Sequence, residues 1–233
     1  MERAIVRVRT LVFSYADSRH CSAAGTSIAP MNTLIKTIEI LGIIAFALTG
    51  IYQARKKGMD IVGVYFVSMI TAFGGGTLRD IILDRRPLFW AEHYWYPFLL
   101  LMLSVLSIVV IKDVLNRQGV VMFILVLDAL GLGLFSASGA SLANAFGYHV
   151  FVSVLIGVMT GVFGGVMRDI ICNEIPYVFT RTELYATCSF VGASTYLLIV
   201  KTNANEIVAV ISCISVTFLL RMIAIRYNIR LPI

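Results

Sequence analysis

A ten-residue motif, Thr71-Ala-Phe-Gly-Gly-Gly-Thr-Leu-Arg-Asp80, returns 89 residues later as Thr160-Gly-Val-Phe-Gly-Gly-Val-Met-Arg-Asp169. The same shift, without gaps, lays Gly42 on Gly131, Phe46 on Phe135, Gly50 on Gly139, Gly58 on Gly147 and Pro87 on Pro176, and sets acidic Asp128 on acidic Glu39. A register held over that length is an internal duplication. Each copy places an arginine and an aspartate inside a segment otherwise apolar enough to cross a membrane. A charge there costs about 2.5–3.5 kcal/mol on insertion scales. A chain that keeps such charges beside tandem glycines is expected to line a cavity or path with them.

Composition sets the solvent. Of 233 residues, 59% are hydrophobic and only 14% charged, with a mean hydropathy of +0.89. This is the profile of a polytopic membrane protein. The net charge of +6 sits mostly in short loops and tails, where it speaks of orientation in the bilayer and not of nucleic acid. Cys21, Cys172, Cys188 and Cys213 form no CxxC pair, and His20, His93 and His149 cluster with nothing, so no metal site or cofactor is expected.

Seven apolar segments follow a leading stretch of different character. Residues 1–30 carry Arg3, Arg7, Arg9 and Arg19 among short apolar pieces. An over-called upstream start and a poorly ordered tail both account for them, and no signal peptide is read there. The spans are Leu34–Ala54, Asp60–Leu83, Pro97–Ile111, Val120–Ala143, Tyr148–Cys172, Leu184–Val200 and Ile207–Ile225. Each is taken as having roughly the 20 residues that a hydrocarbon core about 30 Å thick requires. Trp90, Tyr94, Trp95 and Tyr96 are expected to form an interfacial aromatic anchor. The organisation is therefore all-α: residues 31–117 as a first three-helix repeat, 118–203 as a second, and 204–233 as a seventh transmembrane helix with a basic tail.

Three spans return the chain to the opposite face, so the second repeat is inverted relative to the first. Sites in such proteins lie near the midplane, at broken helices. Gly74, Gly75 and Gly76 fall near the centre of span 2, as do Gly164 and Gly165 in span 5. They are expected to break those helices and meet near the pseudo-two-fold axis. Gly42, Gly50, Gly131 and Gly139 read as packing notches. Glu39 and Arg79 are 40 residues apart, as are Asp128 and Arg168, and two ion pairs are expected, one in each leaflet. Asp80 and Asp169, pointing away from their arginine neighbours, are then free to face water and attract cations, or to cap local amides. Arg79 and Arg168 are either purely structural or part of the path. Thr71, Thr160, Ser136 and Ser138 either line it or bond back to their own helices. Straight, fully bonded helix at both glycine runs, buried in dry side chains and with Asp80 and Asp169 sealed away, would end the idea of a conduit.

The face holding the 1–2, 3–4 and 5–6 loops and the C-tail carries Arg55, Lys56, Lys57, Lys112, Arg117, Arg181, Arg226 and Arg230, against Lys36, Arg85, Arg86 and Lys201 opposite. The C-terminus is expected in the cytoplasm. No histidine lies mid-span and no nucleophile is paired with a base, so an enzyme has little support. Two readings stand: a cation channel, motivated by central glycines and few, paired charges, and a secondary transporter of a small solute such as glycine, motivated by the inverted repeat.

Over about residues 31–227, the paired three-span repeats, the seventh span, GGGTLRD at 74–80 and GGVMRD at 164–169 resemble the prokaryotic branch of the trimeric intracellular cation (TRIC) channel family, also grouped as glycine-transporter domain proteins. The resemblance implies a homotrimer in the cell (inner) membrane. It also implies one path for monovalent cations such as potassium inside each subunit, built around kinked second and fifth spans at Gly74–Gly76 and Gly164–Gly165. Phe163 stands where the first copy has Gly74, so the second hinge is less open and a symmetric pore is not implied. The lysine–glutamate lipid motif of the animal branch is not evident, and phosphoinositide gating is not carried over.

Overall fold

A computed structural model describes residues 28–92, 94–110, 118–179, 184–202, 204–227 and 229. Outside them lie most of the leading segment, with His20 and Cys21, and also His93, Lys112, Arg117, Arg181 and Arg230 from the readings above. Contacts divide the chain into Met1–Thr37 and Ile38–Ile233. The described part of the first unit is helical from Ile28 onward; everything below concerns the second.

Seven α-helices are described: α1 (Ile28–Lys56), α2 (Ile61–Ile82), α3 (Trp95–Val110), α4 (Gln118–Ala145), α5 (Val150–Ile171), α6 (Tyr185–Lys201) and α7 (Glu206–Tyr227). They make a seven-helix, all-α membrane fold in which α4–α6 repeat α1–α3. Five are long and apolar enough to cross a membrane. The other two, α3 and α6, have 16 and 17 described residues, about 24–26 Å at 1.5 Å per residue. Of the two, α6 falls short of the roughly 20 residues expected for every span, whereas α3 is described only as far as Val110.

The repeat reaches into the backbone. Gly58 and Gly147, 89 residues apart, have φ of 72° and 78°, and Asp84 and Asn173 have φ of 50° and 53°. All four follow a helix. At α2 the Asp84 N–H reaches the Ile81 carbonyl and the Arg85 N–H the Asp80 carbonyl; at α5 Asn173 and Glu174 reach Ile170 and Asp169 in the same way. This pairing of orphan carbonyls, with a left-handed residue just past the end, stops each helix sharply. Short polar side chains tolerate that conformation where β-branched ones do not. The motif Arg–Asp thus sits in the last turn of α2 and again in the last turn of α5.

Small residues set the packing. A Cβ on Gly42 would meet Phe135, and one on Gly131 would overlap Phe46. Positions 42 and 46 of the first repeat thus lock against 131 and 135 of the second, with the two rings 5.2 Å apart. Gly50 and Gly139 likewise receive Thr71 and Thr160, as packing notches should. Outside the duplication, α7 is held at its start by Glu206, whose Oε1 accepts from Ser141 and Tyr196. Further along, Thr217 seats on Gly192, and Ile214 on Gly133.

The aromatic run after α2 is only partly an anchor. Tyr94 is exposed and Trp95 partly so, but Tyr96 and Phe89 are buried. Trp90 stacks on Phe73 at 5.6 Å and donates to Thr77 Oγ1 at 2.9 Å. The segment folds back onto α2 because Gly76 has no side chain where the Phe89 ring sits. Trp90→Phe, which keeps the stack and loses the hydrogen bond, is expected to cost about 1 kcal/mol in thermal unfolding of purified protein. Tyr94→Phe is expected to cost nothing measurable.

Candidate functional site

The two glycine runs do not break their helices. Both α2 and α5 run uninterrupted through Gly74–Gly76 and Gly164–Gly165, which corrects the expectation of opened backbone. The glycines instead let the two helices touch. A Cβ on Gly75 would overlap the carbonyl oxygen of Thr160, and one on Gly164 would overlap the carbonyl oxygen of Thr71. These contacts are related by the repeat: 71 answers to 160 and 75 to 164. Gly74 is different, since a Cβ there would come no closer than 3.7 Å to its neighbours. Thr71 and Thr160 turn their hydroxyls back onto the Val67 and Ile156 carbonyls at 2.7 and 2.6 Å, and Ser136 bonds to Leu132 and Ser189.

Flanking this crossing are two buried charge clusters. In the first, Arg79 Nη1 donates to Glu39 Oε1 at 2.6 Å and to Ser138 Oγ at 2.8 Å. Its Nε and Nη2 both reach Asp80 Oδ1, at 2.9 and 2.7 Å. The other carboxylate oxygen of Asp80 accepts the Phe89 N–H at 2.8 Å. In the second, Arg168 Nη1 donates to Asp128 Oδ1 at 2.8 Å and to Thr49 Oγ1 at 3.1 Å, and its Nε to Asp169 Oδ1 at 2.9 Å. Asp169 Oδ2 accepts the Tyr177 N–H at 3.3 Å. Both expected ion pairs, Glu39–Arg79 and Asp128–Arg168, are present.

Two features were not legible beforehand. Ser138 and Thr49 occupy equivalent positions, and each serves the arginine of the opposite repeat, so the halves are cross-linked twice by the same contact. Asp80 and Asp169 do not face water; of the two expected roles they take the other, each accepting a nearby backbone N–H, and what was not expected is their pairing with the adjacent arginine. They are 0% and 2% exposed, each engaged by the arginine beside it. Adjacent helical positions diverge, but an arginine is long enough to curl across, and a buried carboxylate without a cation is far costlier than that bend. Two parts of the condition named above, unbroken helices and sealed aspartates, hold; the third, dry surroundings, does not, because a polar cavity reaches Asp128 and Arg168.

Two cavities adjoin the site. One, of about 390 Å³, is lined by Phe66, Phe73, Gly74, Trp90, Phe163 and Met167 among others, and is almost wholly apolar. The other, of about 70 Å³, is polar and reaches Asp128 and Arg168 past Thr49, Tyr52, Gln53 and Lys56. That volume has room for several waters. One charged residue near the site was missed altogether. Arg221 of α7 is 1% exposed and stacks on the ring of Tyr185, 4.7 Å from its centroid. The signal was available: an arginine well inside an apolar span is a functional candidate by default.

A family model described as glycine transporter matches residues 36–112 and again 125–201, one match for each copy of the motif. The inner membrane protein YadS of Escherichia coli is 35% identical over 200 residues, covering 85% of this chain and 95% of that one. A Vibrio cholerae membrane protein is 31% identical over 201 residues, covering 86% and 82%. A structure described as a basis for conductance through TRIC cation channels superposes with a TM-score of 0.76 at 36% identity, over 85% of this chain and 96% of the other. The chain belongs to the TRIC family. The TRIC channel orthologue from Rhodobacter sphaeroides agrees, with a TM-score of 0.78 at 31% identity over 84% of this chain and all of that one. Within this TRIC-family chain, the crossing of α2 and α5 and its two charge clusters fall inside the matched segments, whereas Arg221 lies beyond them.

Proposed function

We propose that the protein is a monovalent cation channel, with potassium as the type of ion carried and the path inside each subunit. The observation that carries this reading is the likeness, at 36% identity and over nearly the whole of both chains, to a structure of TRIC cation channels. Physical chemistry is in keeping with it. Each arginine is matched by two carboxylates, so neither cluster presents an uncompensated positive charge that would repel cations. Pore and hinge residues in this reading are Gly74, Gly75, Gly76, Gly164, Gly165, Thr71 and Thr160. Charged residues beside the path are Glu39, Arg79, Asp80, Asp128, Arg168 and Asp169. Conduction requires the α2–α5 crossing to part, because the glycine backbones now meet there. The active form in this reading is a homotrimer in the inner membrane with its C-terminus in the cytoplasm, and it carries out no enzymatic step.

The test is electrical. Purified protein of verified trimeric size, fused into planar bilayers in potassium chloride, is expected to give discrete current steps that reverse at the potassium potential in a gradient. Silence over a wide voltage range removes the channel reading. The description of the family model as glycine transporter keeps one other reading in view, coupled movement of a small solute. Saturable, substrate-selective uptake into proteoliposomes without ohmic current would establish it in place of the channel.

A further inference from the structure

The segments that follow α2 and α5 each fold back onto a charge cluster, through the Phe89 N–H to Asp80 and the Tyr177 N–H to Asp169. They are fastened in different ways. After α2, Phe89 fills the space at Gly76 and Trp90 stacks on Phe73, so aromatic packing holds the segment to its own helix. After α5, Glu174 reaches across to α1: its Oε1 lies 2.9 Å from Lys57 Nζ, and its Oε2 accepts from Gln53 Nε2 at 2.5 Å. The positions that answer to 53, 57 and 174 in the other repeat are Leu142, Phe146 and Arg85. Two apolar side chains and an arginine offer no such hydrogen-bonded bridge. Leu142 packs with Leu83, Ala143 and Ile156, and Arg85 turns to Asp80 at 3.8 Å.

Glu174 rides on α5, since its N–H donates to the Asp169 carbonyl in the turn that ends that helix. Gln53 is on α1, and Lys57 follows the last residue of α1. The bridge therefore ties the end of α5 to the end of α1. Gln53 and Tyr177 also line the polar cavity that reaches Asp128 and Arg168, with Lys56 beside them. A parting of α2 and α5 that carries the end of α5 off α1 breaks the bridge and widens this cavity on the face of the 1–2 and 5–6 loops. The side chains of Lys57 and Glu174 are 35% and 33% exposed, so their attraction is weak and screened by salt. Such a contact suits an element that is broken and remade, whereas separating the buried clusters costs far more.

We infer that Glu174, bridging Gln53 and Lys57, is a latch between α5 and α1 that keeps the polar cavity closed, and that its release is part of opening the path on that face. The inference rests on the channel reading and names a regulator of the same path. Glu174 touches no ion in this account. It sets how often the path is open and not how fast ions pass.

The experiment compares full-length wild type, Glu174→Lys, Lys57→Glu and the double exchange by single-channel recording in planar bilayers at low and high potassium chloride. Each single reversal turns attraction into repulsion. Both are expected to raise the ratio of open to closed time at low salt by about threefold or more. The double exchange restores the attraction, and the Gln53 amide serves either partner because it carries both donor and acceptor, so wild-type gating is expected to return. Raising the salt is expected to lift wild-type opening toward that of the single variants. A surface-charge effect gives a different pattern: the two reversals shift the local cation concentration in opposite directions, and step size changes in place of open time. Opposite effects of the two reversals overturn the inference. So does a double exchange that gates like the single variants, or a wild type that is open nearly all the time. Should a single reversal not assemble, Glu174→Gln and Lys57→Gln, which remove one charge each, are expected to show a smaller rise, and unchanged gating in them overturns the inference as well. A silent wild type removes the channel reading and this one with it, whereas a conducting wild type matched by both reversals removes only this one.

Discussion

Gly75→Ala is expected to destabilise the protein by about 1–3 kcal/mol, and Gly74→Ala, one residue earlier in the same run, to leave it unchanged or slightly more stable. At Gly75 the added methyl lands on the carbonyl oxygen of Thr160, a backbone atom that cannot step aside. At Gly74 the nearest atoms are 3.7 Å away and the large apolar cavity adjoins. There, alanine gains up to about 1 kcal/mol of helix propensity over glycine. Gly164→Ala is expected to follow Gly75→Ala, since its methyl lands on the Thr71 carbonyl by the same symmetry. Thermal unfolding of the detergent-purified trimer, followed by loss of the oligomer, ranks the three. Equal effects at 74 and 75 would mean that the run acts as a flexible hinge and not as a contact surface.

The second large effect is expected at the arginines. Arg79→Gln leaves Glu39, 3% exposed, without its cation, and leaves Asp80, 0% exposed, with only Arg85 at 3.8 Å. Breaking a buried pair from one side costs about 3–5 kcal/mol, enough to prevent accumulation of folded protein. Glu39→Gln in the same chain should recover part of that loss, because one of the two stranded charges is gone. Arg168→Gln is expected to behave likewise through Asp128 and Asp169. The partly exposed pair Lys57–Glu174 provides the contrast: Glu174→Gln should cost no more than about 1 kcal/mol. Expression yield and size-exclusion profile of the four variants decide the matter. An Arg79→Gln protein as stable as Glu174→Gln would show that the buried ion pairs do not hold the fold together.

Much of the architecture was legible along the chain. The bilayer demands long apolar segments whose backbone is satisfied within each helix, so spans announce themselves by hydropathy alone. A duplication is equally visible, because it is a property of order and spacing. The pairs Glu39–Arg79 and Asp128–Arg168 followed from both: equal intervals of 40 residues, and inversion, place each acid in the same leaflet as its base. The aromatic run after α2 was misjudged for the opposite reason. Trp90 and Tyr96 have the composition of an interfacial belt, but where a ring points depends on whether a gap such as the one at Gly76 is there to receive it.

What the order of residues determined is therefore the membrane setting, seven helices, two inverted copies and one distant partner for each of the two inward arginines, Glu39 and Asp128. Tertiary structure alone decided that the tandem glycines join α2 to α5 instead of breaking them, that Thr49 and Ser138 serve the opposite repeat, and that Arg221 of α7 stacks on Tyr185 of the second repeat. The physical reason is one of range. Hydropathy and periodicity act within a helix, whereas a missing Cβ has meaning only once a second backbone is laid against it, and a buried charge only once its neighbours are counted.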